Sequence, residues 1–212
     1  MNEAQYNRLC EQYGYWSSWA IWNHNDVNDA SIVALHRDEL NTRYVLLAYN
    51  MSIKLPPDRP PWLNFHSWTH ARKIKYACND TELRGSYIPD LFKGVTHPNS
   101  KKVKDCLTPA LIRKSVAFLL NELADVGVSE ETTYVVFGTY SAEIAQMFRK
   151  HFLPHMGDVS VEYYYHYAYY ALKDRDWVEG FWDKLGIKAD YNAIRAKYRS
   201  SEAAQAKKLD TT

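Results

Sequence analysis

The stretch Tyr44-Val45-Leu46-Leu47-Ala48-Tyr49 is apolar at every position, and it constrains the fold more than any other feature of the chain. A strand with one wet face alternates apolar and polar residues. An unbroken apolar run suits a strand buried on both faces, as in a parallel sheet with helices above and below. Thr133-Tyr134-Val135-Val136-Phe137-Gly138 and Ser160-Val161-Glu162-Tyr163-Tyr164-Tyr165 read as a second and a third strand. The clearest helix is residues 108–126, with Thr108 as N-cap, Pro109 at the first helical position and Gly127 closing it. Leu111, Ile112, Val116, Leu119, Leu120 and Leu123 recur there as one buried face requires. Further helices are expected over 3–13, 31–40, 64–78, 141–152 and 174–185, with Asn64 or Ser67 capping the third of these. Residues 85–92 suit a short strand or turn, because Pro89 argues against a regular central strand. Strands alternating with helices predict an α/β fold, a three-layer sandwich around a mainly parallel sheet.

Two hundred and twelve residues suit a single domain, expected over 1–188. Residues 1–43 form an aromatic-rich N-terminal extension packed on it, and 189–212 a polar tail, frayed or disordered. No run of 18 apolar residues occurs, so no membrane partner is expected. The N-terminus lacks the basic and apolar regions of a secretory signal. Cys10, Cys78 and Cys106 are scattered and odd in number, which supports neither a disulfide framework nor a four-cysteine metal site. A cytoplasmic monomer is the expectation, nucleoid-associated if the source is prokaryotic.

The net charge of +1 is unevenly spread. Residues 54–114 carry twelve basic and five acidic groups, while the flanking segments are each net negative. Arg72-Lys73-Ile74-Lys75 and Lys101-Lys102-Val103-Lys104 are the clusters, either anion-facing or simply solvated helix faces. Aromatic residues make up 15% of the chain, and Tyr and Trp combine an apolar body with a polar tip suited to binding flat molecules. A tyrosine-rich core and rim is the plainer alternative.

Ligands of such folds bind beyond the carboxyl ends of the strands, which selects Asn50 and His166. Asn50 does not titrate, so it holds a water or an amide, or else merely ends the strand as a turn former. His166 can donate a hydrogen bond to a developing anion or shuttle a proton, or it is a half-buried histidine among core tyrosines. Tyrosines around it could stack on bases or wedge into a duplex. His66 and His70 are four apart, but with no third ligand in view they read as helix-surface histidines rather than a metal site. No phosphate-binding glycine loop, GxSxG or Cys-His signature occurs.

An ordered set of segments across residues 44–186 resembles the uracil-DNA glycosylase superfamily. Leu46-Leu47-Ala48-Tyr49-Asn50-Met51-Ser52 is similar to its first motif, Gly-x-Asn-Pro-Gly/Ser or Gly-x-Asp-Pro-Tyr. Leu63-Asn64-Phe65-His66 lies where the family has an aromatic that stacks on the flipped base. Tyr87-Ile88-Pro89-Asp90-Leu91-Phe92-Lys93 resembles Tyr-Ile-Thr-Asn-Leu-Val-Lys. Residues 135–142 resemble its strand-Gly-x-x-Ala helix start, and His166-Tyr167-Ala168-Tyr169-Tyr170 stands where the family has His-Pro-Ser-Pro-Leu.

The resemblance implies a four-stranded, mainly parallel sheet between helices, with single- or double-stranded DNA across the strand ends. It implies a base flipped from the stack and hydrolysis of its N-glycosidic bond, with no metal or cofactor. Asn50 would position the water and His166 would hydrogen-bond the leaving base. Phe65 would stack on that base, Tyr49 would line its pocket and Asp90 would read its edge. Tyr169 or Tyr170 would fill the vacated stack, and Lys101 and Lys102 would hold phosphates. Ala48 and Met51 stand at the motif's glycine and proline, and Asp90 at its amide. An ionised carboxylate only accepts, so Asp90 suits a base edge with an amino group unless its pKa is raised. The rival reading is a catalytically inactive module that binds nucleic acid or a protein on the same fold.

Overall fold

In the computed structural model, residues 1–198 are described except 27, 53, 55, 57 and 67. The apolar run forms the middle of an eleven-residue strand, and its alternate side chains enter two separate cores. Six strands are present among the described residues: β1 (Ser18–Trp19), β2 (Asn41–Met51), β3 (Ser86–Ile88), β4 (Asp90–Thr96), β5 (Thr133–Phe137) and β6 (Ser160–Tyr164). Their order is β1-β3-β2-β5-β6, with β4 also on β2. Every pairing is parallel except β1 with β3. The sheet is therefore mixed and six-stranded, where four mainly parallel strands were expected. Part of the difference is Pro89. It divides one segment into β3 and β4 while its carbonyl accepts from the Ala48 N–H at 3.0 Å. The rest is β1, which the aromatic N-terminal segment adds to the sheet.

Among the described residues eight helices flank this sheet: α1 (Glu3–Tyr13), α2 (Ser31–Leu35), α3 (Trp68–Cys78), α4 (Ser100–Cys106), α5 (Pro109–Val126), α6 (Glu143–His151), α7 (Asp174–Leu185) and α8 (residues 191–198). Val45, Leu47 and Tyr49 of β2 and Tyr134 and Val136 of β5 join the core that holds Leu9 of α1, Leu119 of α5 and Phe148 of α6. Leu46, Ala48, Val135 and Phe137 join the opposite core with Ile74 of α3, Phe181 of α7 and Ile194 of α8. The result is a three-layer α/β sandwich, and it explains why β2 and β5 carry unbroken apolar runs.

α5 starts as its sequence signals require. The Thr108 side chain accepts from the Leu111 N–H at 3.2 Å, and Gly127 closes the helix in the left-handed region at φ +85°. Three expectations change. The helix expected over 31–40 stops at Leu35. The one expected from Asn64 starts only at Trp68, because Trp62 and Phe65 adopt positive φ (66° and 69°) in the loop before it. Asn64 caps no helix: its Nδ2 donates to Asp90 and to the Trp16 carbonyl. Ser67, the other proposed cap, lies outside the described residues. Residues 191–198, expected as part of the polar tail, form a packed helix. α8 buries Tyr191, Ile194 and Tyr198, and Tyr76 packs edge-on against both of these tyrosines. Residues 199–212 lie outside the described ones.

Candidate functional site

Parallel strands place their carboxyl ends on one rim, and the side chains there face the same space. A cavity of about 400 Å³ opens at this rim, within the size range of small-molecule sites. Asn50 near the end of β2, Phe137 at the end of β5 and His166 just past β6 all line it. β5 separates β2 from β6, so the ends of these two strands stand two strand spacings apart, about 10 Å. Tyr49, Phe65, Asp90, Tyr169 and Tyr170 line the same cavity.

The two strand-end residues are each held in one orientation. Asn50 Nδ2 donates to the carbonyls of Met51 (2.7 Å) and His97 (3.0 Å), with that of Val95 at 3.4 Å. A ring of carbonyls fixes which end of the amide is nitrogen. The oxygen, left without a protein donor among the described residues, is an acceptor for a water. The His166 Nδ1 accepts from the Ala168 N–H at 3.1 Å. Its proton therefore sits on Nε2, which makes Nε2 a donor. Burial, with the charge of Lys73 adding to it, lowers the His166 pKa to about 4, so the ring is neutral at pH 7.

Asp90 is only 1% exposed. Its Oδ2 accepts from Asn64 Nδ2 at 3.0 Å, and Oδ1 has no hydrogen-bond partner. Burial raises its pKa to about 6, against the opposing pull of Lys93 and the Asn64 bond. The pocket thus presents one buried, unmatched carboxylate oxygen. The Tyr49 hydroxyl is likewise buried without a partner, beside a ring packed edge-on against Phe92.

The aromatic wall is assembled from three segments. Tyr167 packs edge-on against Phe65 (6.0 Å between centroids) and Phe137 (5.3 Å). Phe65 holds its positive φ while its carbonyl accepts from Trp22 Nε1 at 3.2 Å. A bulky residue in that region is strained, and such strain gathers at functional sites. At the mouth, Tyr169 stacks on Tyr165, while Tyr170 is 94% exposed.

The first basic cluster does not hold as an anion-facing patch. Lys73 is buried and spends its ammonium on the carbonyls of Tyr169 (2.6 Å) and Leu172 (2.7 Å), which ties α3 to the loop after β6. Lys75 is fully buried, and desolvation lowers its pKa to about 7. Arg72 pairs with Asp174. Lys102 is exposed on α4 but does not line the cavity, and the side chain of Lys101 lies outside the described ones. His66 is buried and precedes α3, so it is not a helix-surface residue. The His70 side chain lies outside the described ones, and no cluster of metal-binding side chains occurs among the described residues.

Sequence reasoning missed Asn64 as the partner of Asp90, and His97 and Glu143 as titratable residues of the cavity. His97 closely follows β4, a strand end that the uncertainty at Pro89 concealed. No family model, curated protein or solved structure matches this chain.

Proposed function

We propose that the chain is a monofunctional DNA glycosylase that hydrolyses the N-glycosidic bond of an altered base flipped into the cavity. The observation that carries this reading is the oriented pair. Asn50 offers an acceptor oxygen, and neutral His166 offers an Nε2–H donor, and both line the same cavity. The bond from C1′ to the base breaks with its electron pair leaving on the base. The Nε2–H of His166 hydrogen-bonds the oxygen on which that charge gathers. Water, held through the Asn50 oxygen, bonds to C1′, and the proton it loses balances the base anion. A neutral donor suits this role: an imidazolium would need protonation far below pH 7. Phe65 and Tyr167 supply the stacking wall, and Asp90 reads the base edge.

The test is release of a free base from labelled oligonucleotides carrying uracil, hypoxanthine, hydroxymethyluracil or a mismatched thymine. Asn50→Ala and His166→Ala should each lower cleavage at least about 100-fold with unchanged melting temperature. Wild-type rates in either variant would remove that residue from the mechanism. Binding without cleavage of any substrate would instead support the non-catalytic module, whose cavity holds a base without reacting.

A further inference from the structure

A second groove, of about 890 Å³, lies beside the cavity and shares Tyr167, Ala168 and Tyr170 with it. Its walls come from α3, the loop after β6, the start of α7 and α8. Five cations line it, Arg72, Lys73, Lys173, Arg175 and Arg195, against the single carboxylate of Asp174. Three of them are engaged: Arg72 with Asp174, Arg175 with Glu179 at 2.9 Å, and Lys73 with backbone carbonyls. Lys173 and Arg195 are exposed, and their side chains make no ion pair or hydrogen bond among the described residues. The two groups face one groove from elements far apart in sequence, so their convergence is a product of the fold.

We propose that this groove is the track for the sugar–phosphate backbone of the strand whose nucleotide occupies the cavity, with Lys173 and Arg195 as its phosphate contacts. The proposal rests on the nucleic-acid reading of the cavity and adds a path to it. The groove has more than twice the cavity's volume, more than a lone phosphate needs. It is the polar continuation of a mostly apolar pocket, as a base leading into its own backbone requires. Tyr170 stands where the two spaces meet, so a strand leaving the cavity passes it before reaching Lys173 and Arg195. Exposed lysine and arginine gain affinity for a strand by releasing its condensed counterions, which makes the contribution readable in salt.

The experiment is fluorescence anisotropy with a labelled single-stranded oligothymidylate, which carries no lesion, across a sodium chloride series. The double variant Lys173→Glu/Arg195→Glu should bind at least about tenfold more weakly at low salt. The slope of log affinity against log salt should shrink by about 1.4, two contacts at about 0.7 each for a single strand. Should charge reversal lower the melting temperature, Lys173→Gln/Arg195→Gln replaces it, with the same loss of slope expected. Unchanged affinity and slope in the folded variant would overturn the track. So would a loss of slope in Lys102→Glu alone, which would move the strand to α4. Thymidine monophosphate binding as tightly as the oligonucleotide would make the groove a mononucleotide site and also overturn it. Cleavage is read separately from base release. A protein that binds through the groove and cleaves nothing would fail as a glycosylase and keep the track.

Discussion

Asp90 carries its charge where burial disfavours it, so its ionisation works against the fold. Its pKa stands near 6, against about 3.9 for an unfolded aspartate. Between those values the folded state binds more protons than the unfolded state, and stability falls as pH rises. The loss is fully developed above about pH 6 and amounts to about 3 kcal/mol. Asp90→Asn removes it. Urea denaturation should find the variant close to wild type near pH 4 and more stable by up to about that amount near pH 7.5. A constant difference across pH would show that the carboxylate does not titrate in this range. The same substitution changes what the cavity sees. The new amide oxygen takes the Asn64 N–H and turns an NH₂ toward the space that Oδ1 faced. Excision of bases presenting a carbonyl there should rise relative to bases presenting an amino group, measured as a ratio of cleavage rates on paired substrates. Asn50 and His166 were legible because a strand end is a local feature of sequence. Asn64 and Lys73 were not, because their partners lie 26 and 96 residues away and nothing local signals either bond.

At the scale of elements, α5 and β4 are joined by a buried charge network. Glu122 of α5 is fully buried and pairs with Lys93 of β4 at 2.8 Å. Its other oxygen accepts from Tyr87 of β3 at 2.7 Å and from Ser17, and Lys93 also donates to Ser17 at 3.1 Å. Removing one partner strands the other charge in the core, at a cost of about 3–5 kcal/mol. Glu122→Ala should therefore shift the urea midpoint strongly. The apolar double replacement Glu122→Leu/Lys93→Met should recover much of the loss, since neither charge is then left alone. If the double variant is as unstable as the single, the cost comes from lost packing instead. α5 itself was fully legible, because its cap, first-turn proline and closing glycine are all local signals. The start of α3 was not. Trp62 is buried against Tyr87 and Trp19, and this tertiary packing holds the preceding loop in a conformation its residues would not choose.

At the scale of the whole molecule, cavity, groove and exposed tyrosine form one continuous face at the carboxyl ends of the strands. The parallel core of the sheet was legible from the two apolar runs of β2 and β5, because burial on both faces leaves a compositional mark. The face was only half legible. A linear charge count pointed to residues 72–75, yet folding buries Lys73 and Lys75 and assembles the cationic groove from Lys173 and Arg195. Tyr170 gives this arrangement its sharpest consequence. It is almost fully exposed at the junction of the two spaces, which suits a side chain that enters a duplex as a base leaves it. In a duplex the flipped base abandons its partner and its stack, at a cost of a few kcal/mol that the inserted ring offsets. A single strand has little stack to replace. Tyr170→Ala should thus lower cleavage of duplex DNA at least about tenfold, while a single-stranded substrate with the same base is cut within about twofold of the wild-type rate. Measuring both substrates at matched salt isolates the wedge from the phosphate contacts. Equal losses on both would instead make Tyr170 part of the pocket wall, acting on the bound base whatever strand delivers it.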